Sequence, residues 1–311
     1  MNVVGATTGV TYAAAIVGDQ IRRGDVVLAA ALVLLATCLV CWGLRIAGLA
    51  ERRRLADRLA HFAWQIGILL GLEQAYEFTR GRIPHQTDVA LMNAYRLLDL
   101  EWRHGLFVES RVERFFLHFH AVMNAIDVFY VVSHVLVTIG ALVWIYLRGR
   151  KHYPFVRNLF MLTTAVALVA FYLYPTAPPR MLANYGFVDP LQLHHFTSAG
   201  GAQPNSYTYN PYAAMPSLHV AYAAIVSIGL VLTERRLWIR AIAVAYPFAM
   251  AAAVVISGNH WILDVVAAFI VVGASSLAIV AVGRAGSALV GALSWMRVYP
   301  MLSAAPPELD R

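Results

Sequence analysis

Met215-Pro216-Ser217-Leu218-His219 and Gly258-Asn259-His260-Trp261-Ile262-Leu263-Asp264 each open a strongly apolar run, and their reading decides both the fold and the chemistry. Each puts a histidine where a membrane helix would start. Asp264 follows His260 by four residues, so on a helix its carboxylate lies on the face of the imidazole, one turn further in. A carboxylate that engages one ring nitrogen leaves the other as a nucleophile or base, while His219 can protonate a leaving group.

Working outward, 60% of the 311 residues are hydrophobic and 13% charged, and the mean hydropathy is +0.63. That is too apolar for an ordinary soluble domain. Apolar runs long enough for a hydrocarbon core of about 30 Å cover 26–47, 59–78, 126–147, 155–174, 215–232, 237–257 and 260–282. They predict an all-α integral membrane protein with about seven transmembrane helices in one polytopic domain, 1–302, followed by a disordered tail, 303–311. The first 17 residues lack the basic region of a cleavable signal, so the first helix is expected to act as the insertion signal. Cys38 and Cys41 lie inside that first run and read as small buried helix residues.

Basic residues collect in three turns: Arg45, Arg52, Arg53, Arg54 and Arg58; Arg148, Arg150, Lys151 and Arg157; and Arg235, Arg236 and Arg240. Short cytoplasmic loops are enriched in this way. The protein is therefore expected to be multi-pass in the cell membrane, with His219 and His260 facing the extracytoplasmic side. Those loops account for the net charge of +7, so nucleic acid is not an expected partner.

Between the second and third runs, 88–120 alternates apolar and charged residues at helical spacing, with Leu91, Ala94, Tyr95, Leu98 and Trp102 able to share one face. Such an amphipathic segment suits a helix lying in the interface, or a lid packed over the bundle. The fourth run ends in Tyr174-Pro175-Thr176-Ala177-Pro178-Pro179-Arg180, a rigid exit that fixes an arginine at the outer surface. A guanidinium fork suits phosphate. Pro216 and Ser217 stand at a helix start, where free amides and the positive dipole end also favour an anion. With Asn259 beside His260, these residues make a candidate phosphate site.

The order P-x-A-P-P-R, P-S-L-H, G-N-H-x-x-x-D resembles the type 2 phosphatidic acid phosphatase superfamily, and within it the inositol phosphorylceramide synthases and their bacterial relatives. The likeness covers roughly 59–282. It implies a six-helix core in which His260 attacks phosphorus and becomes a phosphohistidine, Asp264 orients it and His219 protonates the departing oxygen, with no metal and no other cofactor. Two cations of the family pattern are missing: Leu173 stands for a lysine before Arg180, and Val254 for an arginine before His260. A pocket with fewer fixed cations is better matched to a singly charged phosphodiester than to a monoester. The expected function is thus a phosphotransferase that moves a phospho-headgroup, such as phosphoinositol, from a phospholipid or polyprenyl-linked donor to an alcohol. With water as acceptor the same site is a lipid phosphatase, and in a different class the histidines and Asp264 would serve a proton-coupled lipid transporter.

Candidate headgroup contacts are Tyr209, Asn210 and Tyr212 before the Pro216 motif, and Asp127 and His134, which share a helix face with Tyr130. His118, His120 and His134 read as interfacial or pocket-lining groups in preference to a metal cluster.

Overall fold

A computed structural model describes residues 62–65, 67, 68, 71, 86–188 and 211–302, with side chains to 285. The first expected span, most of the second, Tyr209, Asn210 and the tail lie outside these residues. The described residues form helices: α1 Thr87–Arg103, α2 Glu109–Leu117, α3 His120–Val128, α4 His134–Arg148, α5 Tyr153–Leu173, α6 Leu218–Thr233, α7 Leu237–Ile256 and α8 Ile262–Leu302. A π turn, Phe129–Ser133, joins α3 to α4.

The five later runs predicted from the sequence fall on these helices. His120–Arg148, Tyr153–Leu173, Leu237–Ile256 and Ile262–Ala285 are long and apolar enough to cross a membrane, and Leu218–Thr233 is a shorter apolar helix. With 16 residues, α6 rises only about 24 Å at 1.5 Å per residue. Its composition fits because it is enclosed: α4, α5, α7 and α8 all pack against it. Ten of its residues are buried, from Leu218 through Gly229, so it presents little surface to lipid. Gly229 allows a close approach, since a Cβ there would lie 2.4 Å from Ile145 Cδ1 and 3.1 Å from Val156 Cγ2.

The turns at the two ends of the bundle differ in character. Trp144 Nε1 donates to Glu234 Oε1 at 2.6 Å, joining the end of α4 to the α6–α7 turn. The basic residues Arg148, Arg150, Lys151, Arg235 and Arg236 are thus gathered at one end. The Arg180 loop, the start of α6 and the start of α8 lie at the other, because α5, α6 and α7 each run from one end to the other.

The amphipathic segment packs over that second end, and its buried face differs from the expected one. In α1 the buried residues are Ala90, Asn93, Ala94, Leu97, Leu98 and Glu101, whereas Tyr95 and Trp102 are 41% and 66% exposed. Polar Asn93 and Glu101 displace the aromatics because each meets a backbone group: Asn93 Nδ2 donates to Pro175 O at 2.9 Å and Leu263 N donates to Glu101 Oε1 at 2.9 Å. Ala90, Ala94, Leu97 and Leu98 then join Ala177, Leu182, Phe187 and Trp261 in a second apolar cluster.

Candidate active site

The turn between α7 and α8 is built backwards from Gly258. Its φ of 61° lies in the left-handed region, and a Cβ would fall 2.7 Å from Glu113 Oε1; glycine meets both demands. The chain doubles back so that the amides of Asn259 and His260 both donate to Val254 O, at 3.0 and 3.1 Å. Trp261, fully buried, anchors the next step by donating from Nε1 to Ala177 O at 3.0 Å.

His260 is 6% exposed. Its Nδ1 faces two acceptors, Ala214 O at 2.9 Å and Asp264 Oδ2 at 3.2 Å. A carbonyl oxygen can only accept, so Nδ1 carries a proton, which leaves Nε2 as the ring nitrogen able to serve as nucleophile or base. Asp264 is fully buried and its Oδ2 also accepts from Trp261 N at 3.0 Å. The pair forms, with His260 in the bend before α8 and Asp264 in its first turn, so it does not rest on helical spacing alone.

Arg180 is bound to the same turn twice. Its amide donates to Gly258 O at 2.9 Å, and its guanidinium donates to Asn259 Oδ1. Asn259 Nδ2 in turn donates to Ser257 Oγ at 2.7 Å, which fixes the amide's orientation. The loop before Arg180 rests on α1, with Ala177 N donating to Ala90 O at 3.1 Å, and Thr176 N donates to Tyr212 O at 2.8 Å.

At the start of α6, Ser217 is fully buried and its amide donates to Asp264 O at 3.2 Å, linking α6 to α8. The Ser217 hydroxyl has no hydrogen-bond partner among the described residues. The first-turn amides of Leu218 and Val220 likewise meet no acceptor among them. Pro216 precedes this cradle and supplies no N–H of its own.

His219, one residue into α6, has its ring centroid 5.8 Å from that of His260. Tyr130 and His134 hold it from α3–α4 at 4.4 and 4.1 Å. His134 stacks on Tyr222 at 5.4 Å, and the Tyr222 hydroxyl bonds Thr164 Oγ1 at 2.9 Å. The π turn Phe129–Ser133 carries Tyr130 and ends just before His134; such insertions are frequent at functional sites. Asp127 is fully buried on α3. Tyr212 turns toward α1, its hydroxyl 2.8 Å from Thr87 Oγ1. Among the described residues no three His, Cys, Asp or Glu side chains gather as a metal-binding group.

Sequence reasoning missed three glutamates. Glu101, Glu109 and Glu113 are all fully buried. Glu109 Oε1 accepts from Ile262 N at 3.0 Å, Glu101 Oε1 from Leu263 N at 2.9 Å and Glu113 Oε2 from Val188 N at 3.1 Å. Burial first, and the neighbouring Glu109 carboxyl second, push Glu101 up to about 9. The amino terminus of α8 is therefore spent on carboxyl groups, and the phosphate-suited amides are those of α6. At the two departures from the family pattern, Leu173 is 71% exposed while Val254 is fully buried beneath the His260 turn.

A family profile described as the PAP2 superfamily matches residues 95–278, more than half of the chain. The chain is also similar, at 26% identity over 165 residues, to a protein named phosphoinositol dihydroceramide synthase from Bacteroides thetaiotaomicron. That match takes in 49% of this chain and 54% of the relative, so the chain spans about half the length of the curated relative it matches. No solved structure gives a significant match. Four membrane-length helices and a family match that covers the Arg180 loop, His219, His260 and Asp264 agree in one conclusion: this multi-pass membrane protein belongs to the PAP2 superfamily, the type 2 phosphatidic acid phosphatases.

Proposed function

We propose that the protein is a membrane phosphotransferase that moves a phospho-headgroup of the phosphoinositol class from a phospholipid to an alcohol acceptor, through a phosphohistidine at His260. The observation that carries this reading is the pairing of a tautomer-locked His260 with His219, whose ring centroids lie 5.8 Å apart. Family membership supports chemistry on phospholipid phosphates, and the name of the Bacteroides relative supports phosphoinositol as the group moved.

In the first half-reaction Nε2 of neutral His260 attacks phosphorus in line, and the P–O bond to the lipid breaks as the P–N bond forms. Protonated His219 gives its proton to the departing alkoxide. The imidazolium character that develops on His260 is stabilised by Asp264, while Ala214 O keeps the ring in register. Arg180, steadied by Asn259, and the Ser217 hydroxyl with the Leu218 and Val220 amides hold the non-bridging oxygens. In the second half, His219 takes the proton of the acceptor alcohol, whose oxygen displaces His260 from phosphorus. Leu173 and Val254 leave the pocket without two cations of the family pattern, which favours a singly charged diester over a doubly charged monoester. The basic turns at the opposite end of the bundle support an extracytoplasmic site.

The test is mass spectrometry of the purified protein in lipid with labelled phosphatidylinositol, with and without long-chain alcohols, beside His260→Ala. Label moving to an alcohol only with the intact histidine supports transfer. Release of inositol phosphate to water alone, with no transfer, would replace transferase by hydrolase.

A further inference from the structure

We propose that Glu101 and Glu109, carried by α1 and α2, are positioning residues that clamp the first turn of α8 and so hold His260 against Asp264. This deepens the reading of His260 as nucleophile and rests on it for its catalytic meaning. Three successive amides at the start of α8 each have a carboxyl acceptor: Trp261 on Asp264 at 3.0 Å, Ile262 on Glu109 at 3.0 Å and Leu263 on Glu101 at 2.9 Å. First-turn amides are ordinarily satisfied by water or by one short side chain just upstream. Here two of the three partners come from 153 and 162 residues away. Both are fully buried, an arrangement that costs desolvation and is poorly explained by stability alone.

The clamp ties the segment over the bundle to the catalytic turn. Glu109 also accepts from Val108 N at 2.9 Å, so α2 is held at its own start by the carboxyl that holds α8. Four helix positions separate Glu109 from Glu113, which reaches past Gly258 to Val188, beyond the Arg180 loop. A shift of α2 would therefore be felt at Gly258, His260 and the phosphate loop together.

Two buried carboxyls side by side cannot both be charged without repulsion. Glu101 faces Glu109 from α2 and Asp264 from α8, both of which favour its protonated form, and the Leu263 amide, which favours the charged one. Its value of about 9 means that at neutral pH Glu101 is an acid. Its Oε1 accepts from Leu263 N, and the Glu109 carboxyl lies close enough to favour the protonated form. Loss of that proton places a charge beside the Glu109 and Asp264 carboxyls and loosens the turn that carries His260.

The experiment uses the full chain in lipid nanodiscs with Glu101→Gln and Glu101→Ala, reading transfer kinetics against pH and amide hydrogen exchange over 258–266. Glutamine has an oxygen for Leu263 and an N–H for Glu109, so Glu101→Gln should keep the neutral-pH kcat. It should also lack the decline that the unaltered protein shows as pH rises through about 9. Glu101→Ala should lower kcat by about tenfold to a hundredfold with KM for the donor unchanged, and should speed exchange at Trp261, Ile262 and Leu263. Wild-type kcat in Glu101→Ala, or an alkaline decline that persists in Glu101→Gln, would overturn the clamp. Hydrogen exchange separates this proposal from the one it rests on. Faster exchange in Glu101→Ala of a protein that turns over no phospholipid would retain the clamp and discard the nucleophile, and unaltered exchange would discard the clamp either way.

Discussion

Ala214 and His260 are joined by a hydrogen bond of 2.9 Å from Nδ1 to the main-chain carbonyl, in addition to the 3.2 Å contact of Nδ1 with Asp264. The tautomer of His260 therefore does not depend on Asp264 alone. Asp264→Asn should keep the proton on Nδ1, visible in the nitrogen chemical shifts of labelled histidine. It should still slow turnover by about a hundredfold to ten-thousandfold, because the charge that stabilises the imidazolium is gone. Loss of the Nδ1–H tautomer in this variant would mean that Ala214 plays no part.

Ser217 offers a separation of stability from function. Its hydroxyl is buried without a partner among the described residues, a state that costs about 1–3 kcal/mol. Ser217→Ala should melt at or above the temperature of the unaltered protein and at the same time turn over donor lipid more slowly. A variant that melts lower with unchanged turnover would contradict the cradle.

At Gly258 any side chain meets both a φ of 61° and the Glu113 carboxyl. The left-handed backbone alone costs about 1–2 kcal/mol with alanine, and displacement of Glu113 adds to it. Gly258→Ala should therefore lower thermal stability and activity together, and the stability it loses should be smaller in a Glu113→Ala background than in the unaltered protein. Thermal unfolding of the single and double variants checks the coupling.

Glu101 also makes overall stability depend on pH. A carboxyl held at about 9 against an ordinary 4.5 keeps a proton in the folded protein that the unfolded chain has already released. Its contribution is complete below about 4.5, falls as pH rises and is lost above about 9. The melting temperature should decline across that window, and Glu101→Gln should flatten the decline.

How much of this was legible in the sequence follows from what each residue does locally. His219, His260 and Asp264 stood out as candidates because they interrupt apolar runs, where polar residues are conspicuous; the His260–Asp264 contact forms although His260 lies outside the helix. Arg180 was legible through its rigid proline-rich approach. The helix limits were less so: α8 begins at Ile262, two residues beyond the expected start, because His260 and Asn259 are drawn back onto Val254 O. Glu101, Glu109 and Glu113 were hidden by their setting. Among arginines on an amphipathic segment they resemble a solvated face, and only the tertiary fold shows that backbone amides of α8 and of residue 188 await them. The one available hint was Asn93 and Glu101 falling in phase with Ala90, Ala94 and Leu97, as polar residues on the apolar face of α1.

The measurement that bears most directly on the mechanism is trapping of the phosphoenzyme from labelled phosphatidylinositol by rapid quench under alkaline conditions, followed by mapping of the modified peptide in the unaltered protein, His219→Ala and His260→Ala. Acid-labile phosphoinositol on His260 in the unaltered protein, with slower formation in His219→Ala and none in His260→Ala, is the expected result. Turnover without any adduct on His260, or turnover that survives His260→Ala, would contradict the mechanism.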